Sequence, residues 1–76
     1  MKQLIVKPEG WGCTLEECPP GYFVFNDRLC FKSEYRTDGK MEFFCESGEF
    51  FWGGCTEYEA VIKLIVQPVV VKFVLS

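Results

Sequence analysis

A chain of 76 residues with net charge −3 and no histidine has room for one small core, lacks the basic surface that drives binding to nucleic-acid phosphates, and offers no imidazole as base or metal ligand. Eight phenylalanines, three tyrosines and two tryptophans supply enough apolar area for a small core to form without a metal. No apolar run is long enough to span a bilayer: the longest, Ala60 to Leu75, is broken by Lys63, Gln67, Pro68 and Lys72.

Lys2 to Lys7 predicts a first strand with Leu4, Ile5 and Val6 at its centre, ended by Pro8 because proline cannot donate to a ladder. It is expected to pair with a strand from the other end of the chain. Glu9 to Gly21 reads as an irregular loop with one helical turn at Leu15 to Cys18, punctuated by Pro19, Pro20 and Gly21. Trp11 stands in this loop. It is read as a lid folded onto the core, with a binding anchor as the alternative.

From Tyr22 to Trp52 three turn signals, Asn26-Asp27, Asp38-Gly39 and Ser47-Gly48, divide an aromatic and β-branched stretch into four strand-length runs. The expectation is an antiparallel meander with strands over 21–25, 28–36, 40–46 and 49–52. A two-residue loop at Asn26-Asp27 pairs Phe25 with Arg28 and Tyr22 with Phe31. At Asp38-Gly39 a two-residue loop would mix apolar and polar residues on both faces. A three-residue loop, Thr37 to Gly39, is preferred and pairs Tyr35 with Met41 and Phe31 with Cys45; shifting it to Asp38-Gly39-Lys40 keeps the same faces. Ser47-Gly48 then sets Phe43 against Trp52.

This register predicts one apolar face, Tyr22, Val24, Leu29, Phe31, Tyr35, Met41, Phe43, Cys45, Phe50 and Trp52, as the core side. The opposite face carries Phe23, Phe25, Cys30, Lys32, Glu34, Glu42, Phe44, Glu46 and Phe51. Its phenylalanines require partial cover by the chain ends, a second subunit or a target.

Gly53-Gly54 frees the chain to turn, and Thr56-Glu57-Tyr58-Glu59 has capping-box spacing, which predicts a short helix. Gln67-Pro68 returns the chain to extended structure, and VVVKFVL predicts a final strand. The fold class is mainly β: an antiparallel four-stranded meander closed by N- and C-terminal strands into a small barrel or sandwich, with one short helix, in a single domain over 1–76.

Cysteines at 13, 18, 30, 45 and 55 are odd in number and have no Cys-x-x-Cys spacing, so neither zinc nor any other metal is expected. The start MKQLIVKPEG does not read as a signal peptide. The expectation is a cytoplasmic chain with free thiols, in which Cys13 and Cys18 pair only on oxidation. A cysteine nucleophile lacks its usual histidine base. Glu34 and Glu46 read as solvating residues rather than as an acid–base pair. Ser47-Gly48-Glu49 and Gly53-Gly54 lack the helix that a phosphate cradle needs, so turn formation explains them.

LCFKSEY, followed by FCESGEFFWGG, resembles the centre of small uncharacterised proteins encoded in tailed-bacteriophage genomes, over about a third of the chain. The resemblance implies a cytoplasmic protein made in an infected bacterium, of the size class that includes inhibitors of host enzymes and defence systems. It carries over no functional residue.

Together these readings predict a non-enzymatic binding protein without cofactor that occupies a host macromolecule or self-associates. A small-ligand or nucleotide-sequestering oligomer and a structural subunit are the alternatives. The candidate contact residues are Phe44, Phe51, Glu46, Glu49, Lys32 and Trp11, because an apolar centre inside a polar rim is the usual anatomy of such a surface. Nucleic acid and membrane are not expected partners.

Overall fold

The computed structural model describes residues 2–75, with side chains described for 5–72. Six strands and one helical turn follow in the order β1 (Lys2–Pro8), β2 (Cys13–Thr14), β3 (Gly21–Phe25), β4 (Arg28–Thr37), β5 (Lys40–Phe44), α1 (Tyr58–Val61) and β6 (Ile65–Leu75). All pairings are antiparallel, and the sheet runs β1-β6-β3-β4-β5, with β2 also on β6. The fold is mainly β, as expected. The sheet does not close into a barrel, because β1 and β5 remain its two edges.

The first turn follows the sequence expectation. Asn26 and Asp27 take φ of 50° and 61°, the positive values of a two-residue hairpin loop whose twist matches that of its strands. Phe25 pairs with Arg28, Val24 with Leu29, Phe23 with Cys30 and Tyr22 with Phe31.

The second turn departs from it. Asp38 and Gly39, with φ of 53° and 75°, form a two-residue loop in place of the expected three-residue one, and Thr37 pairs with Lys40 and Arg36 with Met41. The conflict of faces is relieved further along. An irregularity between Lys32 and Arg36 resets the register to Lys32 against Phe43 and Phe31 against Phe44, and the Tyr35 N–H there donates to Ser33 Oγ at 3.1 Å. A bulge can absorb such a mismatch at little cost on an exposed strand.

At the third turn the Cys45 N–H donates to Glu49 O at 2.8 Å and the Gly48 N–H to Cys45 O at 3.0 Å. Gly48 has a φ of 90°, so the loop spans Glu46 to Gly48 rather than Ser47-Gly48 alone. The expected fourth meander strand is reduced to the single bridge between Phe44 and Phe50. Phe43 therefore neighbours Phe51, whose N–H donates to Phe43 O at 2.8 Å, and not Trp52.

These shifts invert the face that forms the core. Phe23, Cys30, Lys32 and Phe43 are buried, covered by Leu15 and Cys18 from the 9–20 loop, by Val61 and Ile62 of α1 and its C-terminus, and by Phe51. The face expected to be core is instead the outer one: Tyr22 and Phe31 are each 39% exposed, and Tyr35 and Trp52 more so. The physical reason is where a covering layer can be placed. The two segments that leave the sheet, 9–20 and 51–64, both pack on the Phe23 side, and each large side chain enclosed there gains about 1.5–3 kcal/mol over exposure.

The covering layer is fixed by specific contacts. The Met41 N–H donates to the Tyr58 hydroxyl at 2.8 Å, and the Tyr58 ring stacks on Phe43 at 6.2 Å and 15°. The helix is one turn long, with Glu57 rather than Thr56 at its N-cap and no side-chain cap bond. Gly53 has a φ of 59°, and a Cβ there would meet Leu64 and Phe51, so this tight approach requires glycine.

β6 changes partner along its length. Its start pairs with β2, Gln67 and Pro68 pair with β3, and Val69–Leu75 pairs with β1. The far half forms with β1 a two-stranded ribbon beyond the packed body, which contributes to extents of 42 × 24 × 21 Å.

Candidate functional site

Lys32 is the first functional candidate that the fold relocates. It lies on β4 with only 4% of its surface exposed. Its ammonium donates to Leu15 O at 2.8 Å, to Glu16 O at 3.1 Å and to Cys18 O. An ammonium has three protons, and here each has a carbonyl. The acceptors converge because residues 14–18 form a helical turn, in which the Cys18 N–H donates to Thr14 O at 2.9 Å, leaving carbonyls free as at any helix end. Burial pulls the Lys32 pKa below that of an ordinary lysine, and the neighbouring Cys18 and Cys13 oppose the shift. Lys32 is thus a structural clamp and not a free cation for a ligand.

The other expected contact residues separate. Phe51 is buried, with its ring edge-on to Phe23 at 5.3 Å and to Phe25 at 5.4 Å. Glu46 and Glu49 are exposed on the third turn, and Phe44 is half-buried on β5. Trp11 is 93% exposed. The lid reading of Trp11 is therefore corrected: the chain from Glu9 to Gly12 stands out between β1 and β2, held by the Glu9 N–H on Pro68 O at 2.8 Å and Gln67 Nε2 on Gly10 O at 3.2 Å. It carries the indole into solvent.

The geometry assembles a different constellation on the outer face. Tyr22 pairs with Phe31, and Phe31 with Phe44, so three aromatics form a cross-strand row, and directly paired residues share a face. The Tyr22 and Phe31 rings meet edge to face at 5.3 Å and 68°. Beside the row lies a groove of about 290 Å³ lined by Tyr22, Leu29, Cys30, Phe31, Cys45 and Glu46. The sequence showed the aromatic alternation of this face but not that it is left uncovered.

Burial pushes the Cys18 and Cys30 thiols up to about 11. Both are therefore protonated and poorly nucleophilic at neutral pH. No group of three or more cysteine, aspartate or glutamate side chains suited to a metal occurs among the described residues. No helix among the described residues is long and apolar enough to cross a membrane. Comparison with protein-family models, with curated proteins and with solved structures finds no match.

Proposed function

We propose that this chain is a non-catalytic binding protein that acts by occupying a host protein, with the outer aromatic row as its contact surface. The carrying observation is that Tyr22 and Phe31 remain 39% exposed although the residues on the other side of the same strands are enclosed. An uncovered aromatic centre with Glu46 and Arg28 exposed nearby has the composition of a protein interface, in which a few aromatic anchors carry most of the affinity. The resemblance of Leu29 to Gly54 to tailed-bacteriophage proteins supports a bacterial protein in the cytoplasm as the target. Protonated Cys18 and Cys30 and the fully engaged Lys32 support a role without turnover.

The test is affinity capture from bacterial lysate with the wild-type chain and with Phe31→Glu. The wild type retains a discrete partner and Phe31→Glu loses it at least tenfold, while the variant unfolds at the same urea concentration, because an exposed ring leaves no cavity. Equal retention by both chains, or no retained partner, overturns the proposal.

A second reading is favoured by one feature, an open cleft of about 780 Å³ between the first and third turns, with Asn26, Asp27 and Arg28 in its lining. It would suit a small ligand that Arg28 holds by an anionic group while Asp27 and Glu46 in the same lining accept its donors. A thermal shift with nucleotides, absent in Arg28→Ala, would favour this reading over the first.

A further inference from the structure

The five cysteines are not scattered in space as they are in sequence. Phe31 and Phe44 are direct partners on β4 and β5. One step past that pair, just beyond the end of β5, continuation of the same register sets Cys45 opposite Cys30. Phe43 O and the Cys45 N–H are both turned to the 49–51 segment, accepting from the Phe51 N–H and donating to Glu49 O at 2.8 Å each. Cys45 therefore occupies a position without hydrogen bonds to β4, where opposed Cα atoms come to about 4.5 Å. That spacing falls within the range of about 4.4–6.8 Å that a disulfide requires. The two side chains share a face, since Cys30 lies in the core and Cys45 packs against it.

Cys13 and Cys18 bracket the helical turn that holds the Lys32 ammonium, and both reach the same core, Cys18 within it and Cys13 packed against it. Cys55 stands apart, after Gly53-Gly54 on the loop that leads to α1. We infer that Cys13–Cys18 and Cys30–Cys45 are two preformed dithiol sites that close as intramolecular disulfides, leaving Cys55 as a thiol.

Each site has one accessible and one enclosed sulfur: Cys13 and Cys45 are half-buried, Cys18 and Cys30 buried. This asymmetry sets the order of events with a low-molecular-weight disulfide as oxidant. The Cys45 thiolate attacks one sulfur of the reagent and expels one thiolate. Cys30 then loses its proton to solvent, attacks the Cys45 sulfur of the mixed disulfide and expels the second thiolate. The protein loses two electrons and two protons, and the reagent becomes two thiols. Cys13 and Cys18 react in the same way. Both bridges flank Lys32, one locking the turn whose carbonyls bind it and the other tying its strand to the end of β5. In a reducing compartment the Lys32 clamp acts alone, and under oxidation the same region becomes cross-linked.

The inference is tested by equilibrating the native chain with oxidised glutathione, alkylating residual thiols, and mapping linked peptides by mass spectrometry. The expected result is loss of four hydrogens, the two named linkages, an alkylated Cys55, and a rise in Tm on the order of 10 °C that reductant reverses. In Cys45→Ser the Cys13–Cys18 bridge should persist and Cys30 should be alkylated after unfolding. Linkages that join the two pairs or include Cys55, or four thiols that stay free when a control dithiol is fully oxidised, overturn the inference.

Discussion

In the body of the sheet Phe23 and Phe43 are fully enclosed beneath Leu15, Val61 and Ile62. In the ribbon of β1 and the far half of β6, Val69 beside the body is buried, but Val6 and Val70 further out are 41% and 39% exposed, although the surrounding sequence is as apolar. Both regions are good strand formers, and both pair as antiparallel ladders. The difference is the second layer. The body has the 9–20 loop and α1 laid across it, held by Lys32 on one side and Tyr58 on the other, whereas β1 and Val69–Leu75 pair only with each other. Strand propensity therefore sets the backbone, and burial depends on which segments can be anchored over it.

The sharpest way to break this contrast is to release the anchor. Lys32→Ala removes the donor to three carbonyls and leaves the space of its stem, so it should cost about 3–5 kcal/mol. Lys32→Met restores the volume but not the donors and should still cost about 1–3 kcal/mol. Urea unfolding measures both. If either cost fell within the range of an exposed substitution, the clamp would not be what holds the covering layer.

A smaller effect follows from the enclosed thiols. The folded pKa of Cys18 and of Cys30 is raised to about 11 from 9.0, so between those values the unfolded chain loses protons that the folded chain keeps. Their contribution is whole below pH 9 and is lost as pH rises through about 11, at roughly 3 kcal/mol per group. Lys32 runs the other way, because its lowered pKa makes stability rise with pH up to the ordinary lysine value. The net expectation is a fall above pH 9, followed by urea midpoints under reductant, that Cys18→Ala combined with Cys30→Ala abolishes. A body whose stability did not change there would not enclose these thiols.

Much of this architecture was legible in the sequence. The hairpin at Asn26-Asp27, the strand character of both chain ends and the turn before Cys18 follow from local chemistry, whereas the short helix after Gly54 forms without the capping box that predicted it. The core side does not. Choosing it required the register beyond Asp38, where the two-residue loop is compatible with burial only because of the irregularity between Lys32 and Arg36, and no residue there announces one. Counting lysine as a solvent-facing residue then pointed to the wrong face. The burial of Lys32 depends on three backbone carbonyls from a turn 14–17 residues earlier, and backbone acceptors leave no mark on composition. The same displacement moved Phe51 from contact surface to core and left Tyr22 and Phe31 exposed, with half-buried Phe44 completing their row.

The smallest expected effect belongs to the ribbon, and it is where the comparison can be made finest. A two-stranded ladder without a covering layer is marginal in water, so β1 and Val69–Leu75 should open locally while the body stays folded. Amides of Ile5 to Lys7 and Val70 to Lys72 should exchange with solvent much faster than those of Phe23 and Cys30. Val6→Thr and Val70→Thr, which keep the branched strand-forming shape and remove apolar surface, should each change the unfolding free energy by less than about 0.5 kcal/mol. Both should lower any tendency of the chain to associate through its open edge. Equal protection of ribbon and body, together with a cost above about 1 kcal/mol for either valine, would mean that the ribbon is enclosed in solution. Exposure at Val6 and Val70 would then mark an interface rather than a region too thin to bury its own side chains, and a concentration dependence of that protection would identify a second copy of the chain as the cover.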